Sequence, residues 1–169
     1  MVRFVQLRSL ASLMLQLAIL GALIAAFFVR FPQVSGPSMA PHISSGELVI
    51  INTLAYRFAP PRRGDIVAFH HDGVTPETYI KRVIGLPGER IRIDRGAVYV
   101  NGARLTETYV QYGDDRSGPE IVVPPDSVYV LGDNRAVSED SRAFGPVPDA
   151  DLTGKALAGL WPLGSIGAL

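Results

Sequence analysis

The sequence predicts a mostly β, antiparallel domain joined to one N-terminal transmembrane helix. Two observations carry this. Residues Leu10 to Val29 hold no charge, and beyond them short runs rich in Val, Ile and Tyr alternate with Gly, Pro, Asn and Asp, with no sustained helical period. A chain of 169 residues has length for one domain, and its hydrophobic fraction of 47% is partly explained by the first segment.

Taken in order, the first element is the apolar run, in which Gln16 is the one strongly polar side chain. As a helix it would rise roughly 30 Å, enough to cross the hydrocarbon layer once. The competing reading is a cleaved secretory leader, whose apolar region runs roughly 7 to 15 residues and ends at small residues. Here the run is longer, and Phe27, Phe28, Val29 and Arg30 stand where a cleavage site would be, so an uncleaved anchor is expected. Arg3 and Arg8 precede the span and Arg30 alone closely follows it. That bias keeps the N-terminus in the cytoplasm and puts the remainder outside, although Arg57, Arg62 and Arg63 weigh against it. Residues 1–30 are thus expected to be cytoplasmic N-terminus and anchor, and residues 31–169 an extracytoplasmic domain.

Strands are expected near Glu47–Asn52, Asp65–His70, Tyr79–Leu86, Arg90–Asp94, Ala97–Val100, Gln111–Tyr112, Glu120–Val123 and Ser127–Leu131. Asn101-Gly102 predicts a hairpin, because this pair readily supplies the positive φ angles of a type I′ turn. Tyr112 to Gly118, polar and acidic with two glycines, reads as an exposed loop. No repeat or interdomain linker is visible.

Composition excludes several kinds of chemistry. There are no cysteines, hence no thiol nucleophile, thiolate metal site or disulfide. Sixteen basic and sixteen acidic residues leave no net charge and no basic stripe that would argue for nucleic acid. His70-His71-Asp72 lacks the helical spacing of a zinc protease and reads as a polar strand end. Gly36-x-Ser38-x-Ala40 nearly matches a nucleophile elbow, but no histidine follows residue 71 and the β-rich remainder does not suit that α/β fold.

The positive signal is a serine and a lysine. Ser38 sits in a turn restricted by Gly36 and Pro37 and is followed by Met39, an apolar side chain able to enter lipid or a pocket. On the strand from Tyr79, a period of two puts Tyr79, Lys81 and Val83 on one face and Ile80, Arg82 and Ile84 on the other. Desolvation among apolar neighbours disfavours an ammonium, so Lys81 is a candidate general base and Ser38 the nucleophile it would activate. Each alone has an ordinary alternative: a loop serine, or a lysine that snorkels to water.

Four segments in order, Ser35-Gly36-Pro37-Ser38-Met39-Ala40-Pro41, Gly64-Asp65-Ile66-Val67, Tyr79 to Gly88 and Gly132 to Arg142, resemble the boxes of bacterial type I signal peptidases. The resemblance runs on to Gly154-Lys155 and Trp161-Pro162. It implies a signal-peptidase-like antiparallel β fold, a Ser38–Lys81 dyad that needs no metal or cofactor, and cleavage of preprotein signal peptides after Ala-x-Ala at the outer face of a bacterial cytoplasmic membrane. Ser138 would orient Lys81, and Arg82, Asp133, Asp140 and Arg142 would form a structural ion network. Val34, Gly36, Val49, Ala68, Tyr79 and Ile80 would line shallow pockets for the small side chains of the substrate. The short interval between Gly88 and Gly132 implies the compact form of the family.

Two positions depart from the resembled pattern. Gly36 stands where one branch carries a serine that helps hold the oxyanion, so Gly36→Ser is expected to raise kcat modestly if the position does not require a positive φ. His42 stands where a threonine is usual. Competing readings are a dedicated paralogue such as a conjugation-system peptidase, a self-cleaving repressor-type protease, and a non-catalytic membrane-anchored β scaffold. The second predicts an N-terminal DNA-binding region, and the third gives no reason for Ser38, Lys81 and Ser138 to converge.

Overall fold

The structure, a computed structural model, describes residues 2–71, 77–161 and 167–168. Asp72 and Pro162 lie outside them. Helix α1, Val2–Phe28, has no acidic residue in its first turn and no basic residue in its last. Leu13, Met14, Leu15 and Ile19 point around its circumference and are all more than half exposed. Its stretch Leu10–Phe28 is long and apolar enough to cross a membrane. The chain leaves the helix directly into strand β1, Val29–Arg30.

Eleven further strands follow: β2 Leu48–Asn52, β3 Ile66–His70, β4 Thr78–Gly85, β5 Arg90–Asp94, β6 Ala97–Val100, β7 Ala103–Arg104, β8 Ile121–Val122, β9 Ser127–Leu131, β10 Val147–Pro148, β11 Leu152–Trp161 and β12 Gly167–Ala168. Short helices α2, Ala55–Phe58, and α3, Ser141–Phe144, interrupt them. One sheet runs β1-β2-β11-β3-β4-β9-β10, with β12 beside β11, and a second runs β7-β6-β5-β8. Every strand pair is antiparallel. The mostly β, antiparallel class with one N-terminal apolar helix is therefore the fold of this chain.

The elements form where β-branched residues recur and stop where turn residues intervene. Asn101 and Gly102 both take positive φ, 51° and 84°, and the hairpin they close pairs Val100 with Ala103. Strand β4 is buried on both faces from Ile80 onward and links three apolar clusters. Ile80 packs with Val34, Met39, Val49 and Ala68, Ile84 with Ile91 and Leu131, and Val83 with Val67 and Val130. A strand covered on both sides is a rigid support for a charged side chain.

Two elements differ from the sequence reading, and one loop agrees with it. Strand β11 pairs with both β2 and β3, yet its sequence, with two glycines and two alanines, is poor in β-formers, and sheet context overrides propensity there. Gln111–Tyr112 is no strand; only a bridge links Tyr112 to Asn134. The loop Tyr112 to Gly118 is exposed except at Asp114, and the Gly118 amide ties it to the Ile93 carbonyl.

Candidate active site

Ser38 lies in a turn held from both sides. The Ala40 amide donates to the Pro37 carbonyl at 3.1 Å and the Ile43 amide to that of Met39 at 3.0 Å. Met39 borders the floor of the cleft over Ser38 but turns its side chain inward. It is 1% exposed and packs with Ile43, Val49 and Ile80, so the residue after the serine pins the turn to the core. Gly36 has φ +90°, a conformation that costs an L-residue roughly 1–2 kcal/mol. The condition attached to Gly36→Ser therefore fails, and the expected gain is replaced by strain.

Lys81 reaches this turn from β4. Its Nζ donates to Ser38 Oγ at 2.8 Å and to the Ile80 carbonyl at 3.1 Å, and it lies 5.6 Å from the centre of the Tyr79 ring. The side chain is 4% exposed. Burial pulls the amine from 10.5 down to about 8, against the carboxylates of Asp140 and Glu139, which favour the ammonium. Near pH 8 about half of it is thus a free amine beside a hydroxyl.

The segment 132–142 closes the site from behind. Its Asn134 amide donates to the Ser38 carbonyl at 3.0 Å. Gly132 packs so closely that a Cβ there would lie 2.2 Å from Ser138 Oγ and 2.5 Å from the Ser38 carbonyl oxygen; only glycine permits this approach. Ser138 Oγ is buried, and its hydroxyl helps hold the neighbouring Asp140 carboxylate ionised. It is thus close to the serine turn but not bonded to Lys81.

Buried ion pairs hold that segment. Arg82 binds Asp133 through two bonds, 2.8 and 2.6 Å, and donates to the Gly64 carbonyl at 3.0 Å. Asp133 is fully buried, and His42 Nδ1 stands 3.4 Å from it, which gives the unusual histidine a place beside the Arg82–Asp133 pair. Arg142 grips Asp140 with two bonds of 2.8 Å and Asp114 at 2.5 Å. Burial alone would raise the Asp140 carboxyl, but Arg142 and the Gly132 amide hold it below the ordinary range.

Sequence reasoning missed Arg135, 2% exposed, which binds Glu107 at 2.6 Å and the Gly132 carbonyl at 2.9 Å. It also missed Asp114. Neither Glu107 nor Asp114 could be found by pattern, since both stand in polar stretches whose partners are remote in sequence. Lys155 binds Asp65 at 2.6 Å, so the second of the four segments is fastened to β11.

A cleft of about 490 Å³ opens over Ser38 and Lys81. Of the six residues expected to touch substrate, Val34, Gly36, Tyr79 and Ile80 line it. Val49 and Ala68 are buried beneath, packed against Val34 and Ile80. Glu77, Val137 and Glu139 complete the rim. Among the described residues no group of three His, Asp or Glu side chains could hold a metal ion, and His71 stacks on Phe144 at 4.3 Å.

Comparison with known proteins identifies the family. The profile of the family described as signal peptidase, peptidase S26, matches residues 7–161. Signal peptidase I of Leptolyngbya laminosa is 40% identical over 154 residues, covering 86% of this chain and 75% of that protein. Signal peptidase I of Bacillus caldolyticus is 41% identical over 143 residues, covering 76% and 78%. The crystal structure of a signal peptidase I from Enterococcus faecalis V583 overlaps 57% of this chain and 97% of its own, at 32% identity and a TM-score of 0.48.

Proposed function

The chain belongs to the signal peptidase family, peptidase S26, whose members are serine endopeptidases, and from that premise we propose that it removes signal peptides from exported preproteins by a Ser38–Lys81 dyad. The observation that carries the reading is the 2.8 Å contact between Lys81 Nζ and Ser38 Oγ at the floor of the cleft. The free amine of Lys81 takes the hydroxyl proton as Ser38 Oγ attacks the scissile carbonyl. The oxyanion is met by the Ser38 amide, which has no acceptor among the described residues. The resulting ammonium returns its proton to the leaving amine, and water releases the acyl group by the same route.

Ser138 is the positioning residue. Its buried hydroxyl lies beside the Asp140 carboxylate, which it helps to hold ionised, and with the hydrogen turned that way an oxygen lone pair is left for the Lys81 amine as the proton moves. Arg82, Asp133, Asp140 and Arg142 hold the 132–142 segment and do not touch the reacting atoms. An extended peptide lies between the Pro32–Gly36 segment and the start of β4, with small side chains over Val34, Gly36, Tyr79 and Ile80; Val49 and Ala68 shape that wall from below. Cleavage then follows Ala-x-Ala.

Helix α1 anchors the chain in the bacterial cytoplasmic membrane in a single pass, with residues 1–30 as N-terminus and anchor and residues 31–169 on the extracytoplasmic side, in keeping with Arg3 and Arg8 before the span. The substrate's own apolar segment then lies in the same bilayer, which brings its cleavage site to a serine ten residues beyond Phe28. The test is incubation of the purified protein in detergent with a preprotein, followed by mass analysis of the product. A new N-terminus directly after Ala-x-Ala is expected, and its absence, or a cut elsewhere, overturns the reading.

A further inference from the structure

A second crevice, of about 820 Å³, lies where helix α1 meets the sheet. Its apolar side is made by Phe27, Phe28 and Phe31, all exposed at 78, 39 and 56%. Its polar side carries Arg30, Arg57 and His70 with Thr53, Thr78 and Thr153, and no Asp or Glu lines it. Neither arginine has an acidic partner among the described residues. The Phe28 carbonyl at the helix end, which would repel an anion, is capped by the amide and hydroxyl of Thr53, each at 3.0 Å.

We propose that this crevice binds the headgroup of an anionic phospholipid, with the phosphate between Arg30 and Arg57 and the upper acyl chain along the three phenylalanines. The proposal rests on the reading of α1 as a membrane anchor, which brings the end of the apolar helix, and with it the crevice mouth, to headgroup depth. A pair of unpaired guanidinium groups selects for a phosphate with net negative charge, and the phenyl rings select for an amphiphile over a free anion. Pro32 and Thr78 line both this crevice and the catalytic cleft, so a bound lipid abuts the wall along which substrate would lie.

The test uses the full chain in neutral detergent, offered equal amounts of phosphatidylglycerol and phosphatidylcholine with the same acyl chains, with retained lipid counted by native mass spectrometry. Phosphatidylglycerol is expected to be retained preferentially. The Arg30→Gln/Arg57→Gln variant should lower its retention by on the order of tenfold or more, and Arg30→Lys/Arg57→Lys should keep most of it. Equal retention of both lipids, unchanged retention in the glutamine variant, or displacement by inorganic phosphate at equal concentration would overturn the proposal. Cleavage of a soluble peptide in lipid-free detergent, measured on the same samples, should be equal in wild type and variant. A selective fall in the variant would assign the crevice to substrate instead, whereas absence of cleavage in both refutes the peptidase reading and leaves the lipid result standing.

Discussion

Replacing Lys81 by methionine should make the protein inactive and more stable at neutral pH. Burial lowers the amine from 10.5 to about 8, which at about 1.4 kcal/mol per pH unit means that the ammonium costs the folded state about 3 kcal/mol. Methionine fills nearly the same volume without that cost but gives up the bonds to Ser38 Oγ and the Ile80 carbonyl, worth about 1 kcal/mol each. The balance is a gain of about 1–2 kcal/mol at pH 7, or a rise in Tm of roughly 2–8 °C. The pH dependence is the sharper part. Because the folded pKa lies below the unfolded one, the unfolded chain holds more protons between pH 8 and 10.5, and stability rises with pH across that window. Between pH 7 and 9.5 the wild type should gain about 2 kcal/mol from this group, and Lys81→Met should lack that gain. Above pH 10 the half-buried Tyr56 and Tyr109 and the buried Tyr129, all raised by desolvation, act in the opposite sense, so the comparison is made below it. Thermal unfolding in detergent across pH 7–9.5 measures both quantities. A variant no more stable than wild type, or two parallel pH curves, would refute the reasoning.

Ser38→Ala and Lys81→Ala should each abolish preprotein cleavage, and the double variant should be no worse than either, since members of one catalytic unit do not contribute additively; appreciable turnover by Ser38→Ala in the same assay removes the assignment. Gly36→Ser should lower stability by about 1–2 kcal/mol because the residue sits at φ +90°, and should not raise kcat; an equally stable variant with faster turnover would show that the turn tolerates serine and gains from its hydroxyl. Asp133→Asn leaves the buried Arg82 guanidinium short of its counter-charge and should cost about 3–5 kcal/mol, read as a fall in Tm; a loss under 1 kcal/mol would mean that water or His42 takes over the partner's role.

What the sequence made legible was whatever depends on local pattern. The bounds of β5, β6 and β9 were readable to the residue, because alternating β-branched side chains end there in Gly, Asp or Pro. The turn around Ser38 and the embedded Lys81 were readable because a Gly-Pro pair and an apolar strand are local facts, and the four segments in order tied them to a family. What could not be read was set by distant contacts. Strand β11 forms because β2 and β3 offer it two edges, although Gly154, Ala156, Ala158 and Gly159 argue against a strand. Arg135 finds Glu107 and Arg142 finds Asp114 across 28 positions each, which no spacing rule marks. Val49 and Ala68 lie beneath the cleft surface because the strands carrying them are covered on the side that packs against Ile80. Nor could composition show that Met39 turns inward, since an apolar residue after a serine suits lipid, pocket and core equally.

The central claim is that a buried amine, and no histidine or metal, activates Ser38, and the pH profile of kcat/KM for a preprotein or peptide substrate tests it most directly. With Lys81 lowered to about 8, the rate should rise tenfold per pH unit on the acid side, bend near pH 8 and level off above it. A profile that is flat from pH 6 to 9, or one that bends near 6.5 in the range of an ordinary imidazole, would contradict it.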